Sequence, residues 1–163
     1  MKVEQLMTRQ LDTCTPGDSL NRAAQIMWER DCGCVPVVEG GNGAARRVVG
    51  ILTDRDVCMA AYSQGQPLTD IPVGKVMAST VCSCRPRDSV ATVLKIMETN
   101  QVHRVPVVDE HDELVGLVAW ADLAREAARE HGSKRPEVRD EQLARTVEAV
   151  SRPRGARELT PVS

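Results

Sequence analysis

The chain contains one segment written twice, and nothing else in it constrains the fold so tightly. VEQLMTRQLDTCTPGDSL from Val3 and VGKVMASTVCSCRPRDSV from Val73 align at an offset of 70, matching Val3 with Val73, Met7 with Met77, Cys14 with Cys84, Pro16 with Pro86, Asp18 with Asp88 and Ser19 with Ser89. The register continues to Met27 and Met97, and to VPVV at Val35 and Val105. It then shifts, since Gly50 and Gly116 stand 66 apart, so the first copy holds four extra residues in GGNGAARR. A glycine-rich turn absorbs such an insertion at small entropic cost. A unit of this length cannot bury both faces of a sheet alone, so the two copies are expected to pack on each other.

Within each copy the periodicity changes in a fixed order. After a proline-containing turn, Asp18 or Ser19 can cap a helix whose apolar residues Leu20, Ala23, Ala24 and Met27 recur at helical spacing; Asp88 or Ser89 with Val90, Val93, Leu94 and Met97 repeats the pattern. Short apolar runs follow, 35–38 and 48–52 in the first copy, 105–108 and 114–118 in the second, each pair joined by a polar turn and read as a hairpin. A second helix is expected from about Asp54 and from about Trp120. The predicted order is strand, helix, strand, strand, helix, with a first repeat at 3–63 and a second at 73–130. Beyond it, at 131–163, PEVRDEQLARTVEAV can form a short amphipathic helix through Leu143, Val147 and Val150, and SRPRGARELTPVS has the composition of a disordered tail.

Charge and composition narrow the function classes. With 163 residues, a net charge of -2 and only Trp28, Tyr62 and Trp120 as aromatics, the chain has neither the basic surface nor the stacking platforms of a nucleic-acid binder. No apolar run approaches the roughly 18 residues of a membrane span, and MKVEQLMTRQ lacks the apolar core of a signal peptide, so the expected address is the cytoplasm. The three histidines, His103, His111 and His131, fall in no nucleophile or metalloprotease motif, which argues against catalysis.

The tandem order, with the pattern Gly-apolar-apolar-Thr-x-x-Asp-apolar in GILTDRDV, resembles the cystathionine-β-synthase (CBS) domain pair, or Bateman module, from Val3 to about Arg129. The stretches CVPVVEGGNGAARRVVGILTDRDV and VHRVPVVDEHDELVGLVAWADL are both similar to the second half of a CBS repeat. The resemblance implies an α+β architecture of two repeats related by a pseudo-two-fold axis, with their sheets packed face to face. Because the pair fills nearly the whole chain outside the tail, it resembles the small stand-alone members, which bind rather than catalyse.

In GILTDRDV, Gly50 lets the backbone come close to a ligand, and the strand enters a helix whose first N–H groups favour an anion. Thr53 supplies a hydroxyl, and Asp56 offers two acceptor oxygens suited to the paired hydroxyls of a ribose. The plainer alternative is that Thr53 caps the helix and Asp56 favours its positive end. In the second copy an arginine fork at Arg104, beside His103, can hold a phosphate. The resemblance implies ribose binding by Asp56, phosphate contact by Thr53, His103 and Arg104, and one site shared between the repeats. The mirror site keeps Gly116 and Asp122, but Ala119 replaces the threonine, and Gly33 and Cys34 replace His103 and Arg104. Losing a hydroxyl and a cation removes about 2–4 kcal/mol of contact, so the second site is expected to be weaker.

No cofactor is required by this reading. The regulatory ligand is an adenosyl nucleotide of the AMP, ADP, ATP, S-adenosylmethionine or NAD kind, and its signal passes to a downstream protein partner, with a homodimer implied by resemblance. The cysteines offer a rival. Cys32 and Cys34, and Cys82 and Cys84, form two Cys-x-Cys pairs that can be read as a zinc or redox sensor on the same scaffold, although zinc sites more often space cysteines by two to four residues. The matched positions of Cys14 and Cys84 favour packing instead. A third reading is an interaction module whose ligand sites have decayed.

Overall fold

The computed structural model describes residues 1–40, 46–133 and 136–153. Two copies of one arrangement follow each other. In the first, α1 (Leu20–Glu29) leads into a hairpin of β1 (Cys34–Glu39) and β2 (Arg47–Thr53) and then α2 (Asp54–Gln64). In the second, α3 (Val90–Asn100) leads into β3 (Arg104–Val108), β4 (Leu114–Ala119) and α4 (Trp120–Arg129), and α5 (Asp140–Ser151) completes the order. This is the expected α+β tandem fold. Each hairpin is antiparallel and carries a register irregularity at the same place, Val37/Val38 in one and Val107/Val108 in the other.

Local chemistry explains the helix starts. Ser19 Oγ accepts from Arg22 N at 3.3 Å, and Ser89 Oγ accepts from Thr92 N at 3.2 Å, so serine is the cap in both copies. The neighbouring aspartates close the preceding turns: Asp18 Oδ2 accepts from Thr15 N and Asp88 Oδ2 from Arg85 N. The expected first strand shrinks to isolated pairings, an antiparallel one of Thr8 with Leu117 or Ala78 with Ile51 and a parallel one of Cys14 with Val37 or Cys84 with Val107. Proline two residues further on, Pro16 or Pro86, has no N–H to continue the ladder.

The two cores are built with exchanged ends. Val3 and Met7 are buried with Val93, Leu94, Met97 and Val105 of the second copy, while Ile71 and Val73 are buried with Leu20, Ala23, Val35 and Leu52 of the first. Backbone bonds fasten each crossing: Val3 N donates to Asp88 O at 3.0 Å, and Val73 N to Asp18 O at 2.8 Å. Both copies therefore need each other's opening turn to close their cores.

The C-terminal helix predicted through Leu143, Val147 and Val150 forms, but its docking face differs in one position. Thr146 is wholly buried and Val150 nearly so, with Leu143 packed against the second core. The Thr146 hydroxyl donates to Glu98 Oε1 of α3 at 2.6 Å, which satisfies a polar group that burial would otherwise penalise. Val147 is only half-buried. The predicted tail lies, from Arg154 onward, outside the described residues, as do residues 41–45 of the inserted turn.

Candidate functional site

The segment Gly50–Val57 carries β2 into α2 with Thr53 as the N-cap. Asp56 Oδ2 accepts from Thr53 N at 3.0 Å and from Thr53 Oγ1 at 2.7 Å, and Thr53 Oγ1 faces Asp56 N at 3.3 Å. The two residues thus form a reciprocal capping box. Asp56 Oδ1 has no hydrogen-bond partner among the described residues, and the side chain is half-buried.

The helix start is less open to an anion than the sequence suggests. Asp54 N donates to Gly33 O at 3.3 Å, and Arg55 N donates to Asp54 Oδ1 at 2.7 Å. Asp54, which the sequence reading passed over, therefore places a carboxylate where a bound phosphate would be favoured. Its position as first residue of the helix in the string TDRD was the available signal, since acidic side chains favour that end of a helix.

Across from it stands Arg104, at the first position of β3. A Cβ built on Gly33 would lie 3.0 Å from an Arg104 guanidinium nitrogen and 3.0 Å from Asp54 Oδ2, so a cation of the second copy and a carboxylate of the first both approach one glycine without forming an ion pair with each other. The Cys34 thiol senses both. Burial pushes it up to about 11, Arg104 pulls it down, and Cys32 and Asp54 push it further up. The arginine of the second copy and the first residue of α2 therefore both lie against Gly33. His103, one residue earlier, is exposed, and its carbonyl accepts from Trp120 N at 2.9 Å at the start of α4.

Gly50 has a packing reason of its own. The space its missing side chain leaves is filled by the chain: a Cβ there would lie 2.5 Å from Met77 Sδ and 3.1 Å from the Ala78 carbonyl oxygen. Gly116 does the same for Met7 Sδ at 2.6 Å and Thr8 O at 3.2 Å. The close approach at these glycines is to the crossing segments.

The mirror turn is arranged differently. Asp122 is 8% exposed, against a half-buried Asp56. Its Oδ2 accepts from Ala119 N at 2.7 Å, and its Oδ1 is paired with Arg125. Both carboxylate oxygens are engaged by the chain, and Ala119 offers no hydroxyl.

Three thiols are buried. Burial raises Cys14 to about 11 and Cys84 to about 12, in each case with a nearby aspartate adding to the effect. Cys32 and Cys58 are exposed and Cys82 is half-buried. Cys82 lies outside any strand. Among the described residues, no group of three or more His, Cys, Asp or Glu side chains is placed to hold a metal. Surface concavities of about 450 Å³ along α5 and about 700 Å³ beside the opening turn lie away from the Arg104 cleft. Among the described residues no helix is long and apolar enough to cross a membrane.

Comparison with known proteins follows the same lines. The family model "CBS domain" matches residues 3–63 and 73–129. A CBS domain-containing protein of Bacillus subtilis, YhcV, is 36% identical over 122 residues, spanning 75% of this chain and 82% of that protein. A crystal structure of Hypoxic Response Protein I with two coordinated zinc ions superposes with a TM-score of 0.67 at 31% identity, covering 77% of this chain and 98% of that one. A crystal structure of CBSX2 in complex with AMP superposes with a TM-score of 0.66 at 22% identity, covering 78% and 96%, and shares the fold.

Proposed function

Since the chain belongs to the CBS-domain family and carries that domain twice, as a regulatory pair, we propose that it binds a phosphorylated adenosyl compound in the cleft between Arg104 and the Thr53–Asp56 turn, works as a homodimer, and signals by a change of shape or partner contact. The observation that carries this is the approach of Arg104 from the second copy and Asp54 from the first to the same glycine, Gly33. A guanidinium facing a helix N-terminus whose Arg55 N–H is capped by the chain's own Asp54 carboxylate is a place for an incoming anion.

An arriving phosphate takes the place of the Asp54 carboxylate, accepting from Arg104 and from the Arg55 N–H that Asp54 now caps. Asp56 Oδ1 is left to accept from a ribose hydroxyl, while Oδ2 stays in the capping box. Releasing Asp54 from the Arg55 N–H changes the start of α2, and that is the conformational signal. No bond is made or broken in the ligand, so the role is binding without catalysis.

Isothermal titration with AMP and adenosine tests the site. Arg104→Ala should shrink the preference for AMP over adenosine by about 10-fold or more, the scale of a charge-assisted hydrogen bond. Asp54→Asn, which removes the competing charge while keeping the shape, should tighten AMP. An unchanged AMP-to-adenosine ratio in Arg104→Ala refutes the phosphate assignment. Weaker AMP binding in Asp54→Asn refutes the displacement.

A further inference from the structure

The three residues that lead into each hairpin differ completely between the copies. Val102, His103 and Arg104 of the second match Cys32, Gly33 and Cys34 of the first. Cys14 and Cys84 hold matched positions and both are buried, which is what a packing role requires. Neither Cys32 nor Cys34 has a matched thiol, so the repeat folds without them. Cys32 is exposed, and Cys34 is 5% exposed at the first position of β1. The Cys32 thiol is turned along the chain toward its neighbour, donating to the Cys34 carbonyl at 3.4 Å. The two thiols are close enough that a charge on Cys32 raises Cys34. The chain bends at Gly33, between them. Cα atoms two residues apart can stand no more than about 7 Å apart, and a disulfide spans about 4.4–6.8 Å. A ring closed over one intervening residue needs unusual backbone angles, which glycine adopts at least steric cost. The same residues hold the start of α2. Gly33 O accepts from Asp54 N at 3.3 Å, and Cys34 pairs with Thr53 across the hairpin.

We propose that Cys32 and Cys34 form a peroxide-oxidised thiol pair whose disulfide releases the start of α2 and closes the Gly33 position to ligand. The effect on ligand rests on the nucleotide reading above; the disulfide and the release of α2 stand without it. The exposed Cys32 thiolate attacks one oxygen of a hydroperoxide, the O–O bond breaks, and the other oxygen leaves with a proton as alcohol or water, giving Cys32 sulfenic acid. The Cys34 sulfur then attacks the Cys32 sulfur, the S–O bond breaks, and the hydroxyl leaves as water with the Cys34 proton. Two electrons pass from the thiols to the peroxide, and a thiol reductant returns them. Burial holds Cys34 at about 11, so its attack waits for the end of β1 to open, and strand ends open at the least cost. A partner two residues away has an effective concentration on the order of millimolar or more, which favours the internal bond over one to an outside thiol. So short a ring cannot keep Cys34 extended in the ladder opposite Thr53, and that pairing is lost together with the bond from Asp54 N to Gly33 O. Arg104, which lies against Gly33, loses the surface it rests on. In the second copy Trp120 N makes the matching bond to His103 O at 2.9 Å with no thiol at 102 or 104, so oxidation acts on one half of the molecule alone.

The test adds hydrogen peroxide to the reduced full chain and counts thiols with Ellman's reagent in the native and the denatured protein. The native count should fall from three to two as Cys32 is consumed, and the denatured count from six to four. Tandem mass spectrometry should place the bond between Cys32 and Cys34, and dithiothreitol should reverse it. Amide hydrogen exchange at Asp54, followed by NMR, should quicken about tenfold or more in the oxidised chain with Trp120 unchanged, and AMP affinity should fall by about tenfold or more. Cys32→Val, which copies the matched Val102, should abolish the response. Cys34→Ala should stop the reaction at a sulfenic acid on Cys32 that dimedone traps, and Cys58→Ser with Cys82→Ser should leave the response intact. A bond from Cys32 to another cysteine or to a second chain, or Cys32 oxidised past the sulfenic acid while Cys34 stays a free thiol, overturns the pair. A Cys32–Cys34 disulfide with Asp54 exchange unchanged overturns the release of α2. A reduced chain that does not bind AMP overturns the nucleotide reading alone, and the thiol count and Asp54 exchange still decide the switch.

Discussion

Replacing Gly50 with alanine puts a methyl carbon 2.5 Å from Met77 Sδ, 2.9 Å from Met77 Cγ and 3.1 Å from Ala78 O. Non-bonded carbon contacts settle at about 3.5–4.0 Å, so something has to move by roughly 1 Å. The carbonyl cannot move freely, because Ile51 N donates to Ala78 O at 3.0 Å and Ala78 N donates to Ile51 O at 2.9 Å. The thioether must give, and methionine gives more easily than a branched side chain. Overpacking of this kind costs about 1–3 kcal/mol, partly offset because alanine is less costly than glycine within a strand. For a chain of this length that corresponds to a fall in melting temperature of roughly 2–10 °C. Thermal unfolding followed by circular dichroism measures it, with an AMP titration on the same variant. Removing the obstructing side chain supplies the internal check: Gly50→Ala with Met77→Ala should cost less than the two changes summed, by about 0.5 kcal/mol or more. A Gly50→Ala protein that melts at the wild-type temperature but has lost AMP affinity refutes the reasoning, since the glycine would then serve the ligand and not the crossing segment.

Asp56→Ala should weaken adenosine-ligand affinity at least about tenfold, with little loss beyond one helix cap in stability. Asp122→Ala should do the reverse, lowering the melting temperature with little effect on affinity, and equal calorimetric effects of the two would contradict the asymmetry. Ellman's reagent on the native chain should find Cys32, Cys58 and Cys82 reactive and Cys14, Cys34 and Cys84 slow until unfolding, because a thiol raised to about 11 or 12 holds little thiolate near neutral pH. The same raised values set the alkaline limit. Above pH 9 the unfolded chain gives up protons that the folded chain keeps on these three thiols, so stability is full below pH 9 and falls as pH climbs through 11. A melting temperature that rises between pH 9 and 11 would invert the assignment of these thiols as buried.

The sequence alone determined the features that depend on neighbours along the chain. The duplication, helix caps at Asp18 or Ser19 and at Asp88 or Ser89, the two hairpins and the helix starts at about Asp54 and Trp120 follow from periodicity and capping, whose range is a few residues, and the structure settles the caps on the serines. The same local reading placed Thr53 and Asp56 at the helix start without pairing them, and took Gly50 for a place of ligand approach, because a glycine shows only that something comes close. Tertiary structure decided that the close group is Met77. It also decided that each copy's opening turn completes the other's core, that Thr146 belongs inside because Glu98 meets it, and that Arg104 lies against Gly33 of the other copy. An apolar or small residue in a sequence records how much room a position has, whereas the identity of its neighbour is set by residues tens of positions away, in contacts that only the folded chain brings together.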